Sequence, residues 1–172
     1  MARASGKASR AGRPEYVRAG LRKRGVSVKL RLRWDRSPWT CEAMLKRLPI
    51  EGQAWHAKYA NNEIYTLIPV RDEVYRGEWR CLYPGPGDLM YFPIEAGFFL
   101  PPGAPPMDVT KGLIDVAYFY ERGNSLAGPT GTALGNIFAT ITSVEEVERA
   151  AAACSDVWFS GAVGESFYVE LA

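Results

Sequence analysis

Histidine occurs once in this 172-residue sequence, as His56. A zinc centre built on histidines is therefore excluded, and no metal site is expected. Cysteine is almost as scarce. Cys41, Cys81 and Cys154 stand far apart in no paired pattern, which argues against a disulfide framework and suits a reducing cytoplasm. Long apolar runs are missing as well. None approaches the roughly 18 residues of a membrane helix, so a cytoplasmic protein is expected and no membrane partner. Phosphate-binding signatures fail in the same way. The stretch GPTGTALG lacks both GxGxxG spacing and a GK[ST] ending, and it leads into a strand pattern rather than a helix. No cofactor is expected. GNSLAG misses the second glycine of a nucleophile elbow by one place, and only one histidine exists to act as its base. No segment repeats.

What is present reads as one globular domain. Hydrophobic residues make up 47% of the chain and charged residues 23%, ordinary values for a chain long enough to bury roughly 70% of its unfolded surface. The net charge of +2 conceals an asymmetry. Residues 1–25 hold eight Lys/Arg and one acid, whereas the remainder holds 13 basic and 18 acidic residues. The division expected is a basic, flexible arm over 1–25 and a folded domain over 26–172. The arm has neither the aromatic interleaving of a nucleic-acid platform nor the apolar core of a signal peptide, so no nucleic-acid partner is expected. RKRG can be encoded by purine-rich codons that resemble a ribosome-binding site, and a start at Val26 is the corresponding expectation.

From Val26 the pattern becomes regular. VSVKLRLRW alternates apolar and polar residues, a strand with one buried face. SPWTCEAMLKRLP suits a helix of about three turns, capped by Ser37 with Pro38 in the first helical position and Pro49 as the stop. GQAWHAKY and EIYTLIPV flank Asn61-Asn62, a hairpin turn. EWRCLY, DLMYFP, GFFL, GLIDVAYFYE and ALGNIFATIT read as strands, with a glycine-rich loop before the last. SVEEVERAAAAC opens a second helix with a capping box of Ser143 and Glu146, and DVWF and ESFYVEL close the chain as strands. About eight short strands and two helices give a mostly-β fold, for which an antiparallel barrel closed by helices is the natural solution.

Three titratable residues stand out. His56 sits mid-strand among small and aromatic residues, where a core or rim histidine is the default. Glu63 lies beside the hairpin turn and reads as solvated. Glu95 follows LMYFP in a loop between two aromatic strands. His56 and Glu95 are thus the candidates for acid–base work if burial shifts them. Tyr65, Tyr91, Phe92, Phe98, Phe99, Tyr118 and Tyr120 supply rings for a pocket or for the core.

In this order the segments resemble the cyclophilin-like barrels. The first strand leads through SPWT into a helix, GDLMYFPIEAGFFL resembles the paired strands carrying a Phe-Phe dipeptide, and NIFATITSVEEVERAAAA resembles the late strand and second helix. The likeness spans about residues 26–172. IYTLIP resembles the catalytic strand of the prolyl isomerases, with Thr66 where those enzymes carry arginine. The glutamine segment and the tryptophan loop also have no counterpart. The resemblance is therefore closer to the small bacterial and archaeal cyclophilin-like families without established isomerase activity. It implies a closed antiparallel barrel of about eight strands, capped by two helices, with a side cleft lined by Tyr65, Tyr91, Phe99 and Asn136.

The function this implies is binding of a small polar or amide-bearing metabolite, with any reaction unassigned. Thr66 and Tyr118 belong to the expected cleft. Asn136 would meet an amide or carboxylate, Gly135 would leave room beside it, and Arg122 would form a positive rim. The bland alternative for Asn136 is a loop tie. Prolyl isomerisation is the first functional alternative. The second is a non-catalytic subunit of an amide-processing enzyme, as related barrels are; Trp39 and the PPGAPP loop are its candidate contact face. A small-molecule ligand is the expected partner, and self-association is left open.

Overall fold

Strand appears wherever the long alternating runs placed it, and also in a segment where charge conceals it. The structure, a computed structural model, describes residues 12–97, 100–128 and 131–172. Its first strand, β1, is Tyr16–Leu21, inside the stretch expected to be a flexible arm. Val17, Ala19 and Leu21 are buried. β1 lies between β2 (Val26–Leu32) and the last strand, β12 (Ser166–Leu171), with Val17 opposite Leu30 on one side and Leu171 on the other. A chain starting at Val26 would lack the strand that joins β12 to β2. Residues 1–11 lie outside the described residues.

The basic turn between β1 and β2 is equally well occupied. Glu165, with a fully buried side chain, accepts the backbone N–H groups of Lys23 (2.7 Å) and Arg24 (3.2 Å) and the Arg24 guanidinium (3.0 Å). Arg24 also reaches Asp156, and Arg22 bonds Glu51 and Glu170. The positive charge of this turn is met by acids from distant segments.

Helix α1 spans Pro38–Leu45 and ends short of Pro49. Ser37 does not cap it; its hydroxyl donates to the Ile137 carbonyl at 2.6 Å. The cap comes from a distant loop, where the Glu78 carboxylate accepts from the N–H groups of Trp39 (3.0 Å) and Thr40 (2.8 Å). That satisfies first-turn donors the helix itself leaves unpaired. Helix α2 spans Val144–Ser160 and starts as expected, with Ser143 Oγ accepting from the Glu146 N–H. The other half of the capping box is diverted: the Glu146 carboxylate accepts from the Lys29 N–H of β2 at 2.7 Å. DVWF, expected as a strand, is the end of α2. Val157 continues the buried stripe of Val147, Ala150 and Cys154, and four residues are too few for period to separate strand from helix.

The remaining strands are β3 (Ile50–Gln53), β4 (Trp55–His56), β5 (Glu63–Pro69), β6 (Arg80–Cys81), β7 (Asp88–Ile94), β8 (Leu113–Phe119), β9 (Ala127–Gly128), β10 (Gly131–Thr132) and β11 (Gly135–Ile141). They form an antiparallel sheet in the order β3-β12-β1-β2-β11-β7-β8-β5-β4, with β6 added to β11 and a small β9–β10 hairpin alongside. The fold is thus a mostly-β antiparallel sheet with two helices. Among the described residues no ladder joins the edge strands β3 and β4, so hydrogen bonds do not close the expected barrel. The sheet nevertheless curls until β3 leans on β5: a Cβ at Gly52 would collide with the Thr66 hydroxyl. Phe98 and Phe99, from the expected strand GFFL, lie outside the described residues.

Both helices cover one core, in which Cys41, Met44, Ala150 and Val157 meet Leu30, Ile64, Val116 and Phe138. Glu165 tests how firmly β1 is held. Glu165→Ala leaves buried N–H groups and a guanidinium without their acceptor, and should lower unfolding free energy by about 3–5 kcal/mol, read from urea titration. A loss below about 1 kcal/mol would mean that the turn is dispensable.

Candidate functional site

Three central strands have two buried faces. Side chains alternate across a strand, so Ile64, Thr66 and Ile68 of β5 point into the helix-covered core, and Glu63, Tyr65 and Leu67 point the other way. In β7 the core takes Leu89 and Tyr91, and the opposite face carries Met90 and Phe92; in β8 it takes Ile114, Val116 and Tyr118, and the opposite face carries Asp115, Ala117 and Phe119. The second face builds a smaller apolar cluster of Met90, Phe92, Ala117, Phe119, Leu126 and Ile137. Beside it opens a cavity of about 520 Å³. That volume suits a small molecule rather than a few waters.

The cavity walls are mainly Tyr65, Leu67, Phe92, Leu113, Leu126 and Ala133, with Lys58, Tyr59 and Glu95 exposed at its mouth. Two carboxyls lie within. Glu63 is only 5% exposed, and among the described residues no donor bonds its side chain. Asp115 is partly buried, and its Oδ1 is shielded from solvent with no hydrogen-bond partner. The ladder sets Glu63 opposite Phe119, Tyr65 opposite Ala117 and Leu67 opposite Asp115, so the carboxyl residues flank the Tyr65–Ala117 pair on one face.

No Lys or Arg among the described residues pairs with either acid. Desolvation therefore favours their neutral forms. Burial pushes the Glu63 carboxyl up to about 8. Burial raises Asp115 well above the ordinary carboxylate range, and the Glu63 charge raises it further. The Tyr65 hydroxyl is raised by burial and by both acids.

The expected site residues divide between the two faces. Tyr65 lines the cavity and Glu95 stands at its mouth. Thr66, Tyr91 and Tyr118 face the helix-covered core, where Tyr91 stacks on Tyr75 at 5.7 Å and meets Trp39 edge-on. Phe99 lies outside the described residues. Arg122 is exposed, and its carbonyl, not its guanidinium, is engaged, accepting from Asn62 Nδ2 at 2.7 Å.

Asn136 is fully buried as a loop tie. Its Oδ1 accepts from the Tyr75 hydroxyl (3.1 Å) and the Glu78 N–H (3.0 Å); its Nδ2 donates to Thr40 Oγ1 (2.9 Å) and the Arg76 carbonyl (2.7 Å). The side chain has no capacity left for a ligand. The space expected at Gly135 is filled by the Phe92 ring, which a Cβ there would strike.

His56 adjoins the cavity without lining it. Its Nδ1 is 2.9 Å from the Ala57 carbonyl and must donate there, so Nε2 accepts from the Tyr120 hydroxyl at 2.7 Å. Burial lowers its pKa, the Ala57 bond opposing. The ring is a neutral anchor between β4 and Tyr120, the residue that follows β8. Sequence reading passed over Asp115 and took Glu63 as solvated. The available signal was an acid in the middle of the apolar strand LIDVAYF, which must be buried on one face or the other.

A second hollow of about 590 Å³ lies beside α1, lined by Glu42, Lys46, Arg47, Arg71, Asp72 and Glu73 among others. Here charge meets charge: Arg47 pairs with Glu73 at 2.7 Å. The cavity on the second face differs in holding buried acids that meet no counter-charge among the described residues.

Residues 19–169 match the family described as "Protein of unknown function (DUF3830)", and the chain belongs to that family. No curated protein matches it. Among solved structures it is similar to McbB in complex with tryptophan, at 15% identity and a TM-score of 0.62, over 90% of this chain and 44% of McbB. The chain thus spans less than half of that protein, and the likeness is one of fold. The hypothetical protein AF2241 from Archaeoglobus fulgidus matches at 18% identity and a TM-score of 0.45, over 94% of this chain and 99% of its own. No helix among the described residues is long and apolar enough to cross a membrane.

The buried acids give the free protein a characteristic pH response. Between the ordinary carboxylate range and about 8, Glu63 holds a proton in the folded state that the unfolded chain has lost. Stability must therefore fall as pH rises through that window. Glu63→Gln removes this contribution and should gain on the wild type by up to about 1.4 kcal/mol per pH unit, measured by urea unfolding at pH 5, 6.5 and 8. A difference that does not change with pH would show Glu63 to be solvated.

Proposed function

We propose that the protein binds a small molecule in the cavity framed by β5, β7 and β8. The observation that carries this reading is the pair of buried carboxyls, Glu63 and Asp115, with no donor among the described residues to meet them. A fold gains nothing by burying unpartnered polar groups, whereas a binding site needs them free. The body of the ligand would lie against Leu67, Phe92, Leu113 and Leu126, with its polar group towards Tyr65 and the acids. The reading keeps the cyclophilin-like architecture as a curled barrel, with β3 against β5, and keeps a small polar metabolite as ligand in the cytoplasm. It moves the cleft to the opposite face from Tyr91 and Asn136. The ligand of McbB, tryptophan, is of the size such a cavity would admit.

Prolyl isomerisation finds less support. Thr66 stands at the position of the assisting arginine and faces the core against Gly52. The subunit reading loses one of its two named contacts, because Trp39 is partly buried and packs edge-on against Tyr91, while the PPGAPP loop over 101–106 stays largely exposed.

The test is retention of metabolites through native purification, identified by mass spectrometry of the denatured protein. Ala133 is exposed on the cavity wall, so Ala133→Trp should obstruct the space without disturbing the core. A compound carried by the wild type and lost from an Ala133→Trp variant of unchanged melting temperature is the expected result. Equal retention by both, or none by either, would overturn the assignment.

A further inference from the structure

The cavity asks for a particular chemistry, and the inference about it rests on the small-molecule reading above. Among the described residues six titratable groups line the space: Lys58, Tyr59, Glu63, Tyr65, Glu95 and Asp115. Lys58, Tyr59 and Glu95 are exposed at the mouth, and the inner three are Glu63, Tyr65 and Asp115. Among the described residues the interior therefore holds two carboxyls and a phenol, and the one cation of the lining, Lys58, is outside in water. Glu63 is nine-tenths buried and bonded by no donor among the described residues, and Asp115 Oδ1 is buried without a partner. Once ionised, these groups are acceptors that lack donors. The walls nearby are Leu67, Phe92, Leu113 and Leu126, which offer none.

We propose that the part of the cavity lined by Glu63, Tyr65 and Asp115 binds the protonated nitrogen of an amine whose remaining body is apolar. An ammonium group carries three donors and one positive charge. Seated beside Tyr65, between the two acids, it brings both hydrogen-bond donors and the counter-charge that the described residues omit. Hydrogen bonds between ionised partners are about twice as strong as neutral ones, and the apolar walls strengthen them further by excluding water. A hydroxyl or amide of the same shape brings fewer donors and no charge.

A consequence follows for protons. In the free protein desolvation holds the acids protonated, and the arriving ammonium favours their ionised form. Binding therefore releases a proton, and affinity rises with pH as long as the amine stays protonated. At the mouth, Lys58 repels the incoming cation and Glu95 attracts it. Because both are solvated, salt weakens their influence.

The experiment compares 2-phenylethylammonium with its neutral counterpart 2-phenylethanol, by calorimetry at pH 6 and pH 8. The full-length wild type is set beside Glu63→Gln and Asp115→Asn, with melting temperatures confirming that each variant folds. The amine should bind the wild type at least tenfold more tightly than the alcohol at pH 8. Its affinity should rise from pH 6 to pH 8, with a proton released to the buffer. Each variant should weaken the amine at least tenfold and leave the alcohol unchanged. The proposal is overturned if alcohol and amine bind alike, or if Glu63→Gln leaves amine affinity intact. It is also overturned if amine affinity falls with rising pH, the signature of neutral acids donating to an uncharged ligand. Should the amine fail to bind while a metabolite is still lost from Ala133→Trp, the charge assignment falls and the cavity reading stands. Loss of that retention difference removes the cavity reading itself.

Discussion

Strands β5, β7 and β8 must satisfy two interiors at once, and most of the molecule follows from that constraint. A strand with one wet face alternates apolar and polar residues, whereas one covered on both sides must bury nearly every side chain. Here one side is closed by α1 and α2 over a large core, and the other by a smaller apolar cluster under the loops. Any polar residue on these strands is then buried by default. Glu63 and Asp115 are such residues, and their place on the smaller face beside an open cavity is what separates them from a packing defect.

Two other buried polar residues, Asn136 and Glu165, are handled differently. Asn136 has every hydrogen-bonding position filled and ties the loop around Glu78 to β11, while Glu78 caps α1. Glu165 is saturated in the same way by the β1–β2 turn. Asn136 and Glu165 thus have their hydrogen-bonding positions met, as a low-dielectric interior favours, whereas the Tyr118 hydroxyl on the larger face is buried without a partner. The cavity acids differ from that hydroxyl in bearing charge when ionised and in standing beside open space.

Much of the architecture was readable in the sequence, for identifiable reasons. VSVKLRL, DLMYFP, LIDVAYF and GNIFATI are long enough for a period of two to emerge, and SVEEVERAAAAC carries both its cap and its helical stripe. β1 was hidden because Arg18, Arg22, Lys23 and Arg24 dominate its neighbourhood, and the acids that neutralise the turn come from distant segments; Glu165 is 141 residues beyond Arg24. The site was readable only in part. Alternation gives which residues share a face, but not whether that face looks into a core or a cavity. Tyr65 and Glu95 were therefore placed with Tyr91 and Asn136, from which the sheet separates them. Ring-rich composition points equally to packing and to ligands, while an acid inside an apolar strand is the rarer and more informative mark.

The two acids are buried without a counter-charge among the described residues, and their titration tests that directly. Carboxyl-carbon NMR of the free, uniformly labelled protein, followed from pH 3 to pH 10 and assigned with Glu63→Gln and Asp115→Asn, reads each group on its own. Two carboxyls should titrate far above the rest, Glu63 near about 8 and Asp115 also well above its ordinary value. If both instead titrate with the surface acids at about 4, the cavity interior is wet, and the case for a ligand that must supply its missing charge is contradicted.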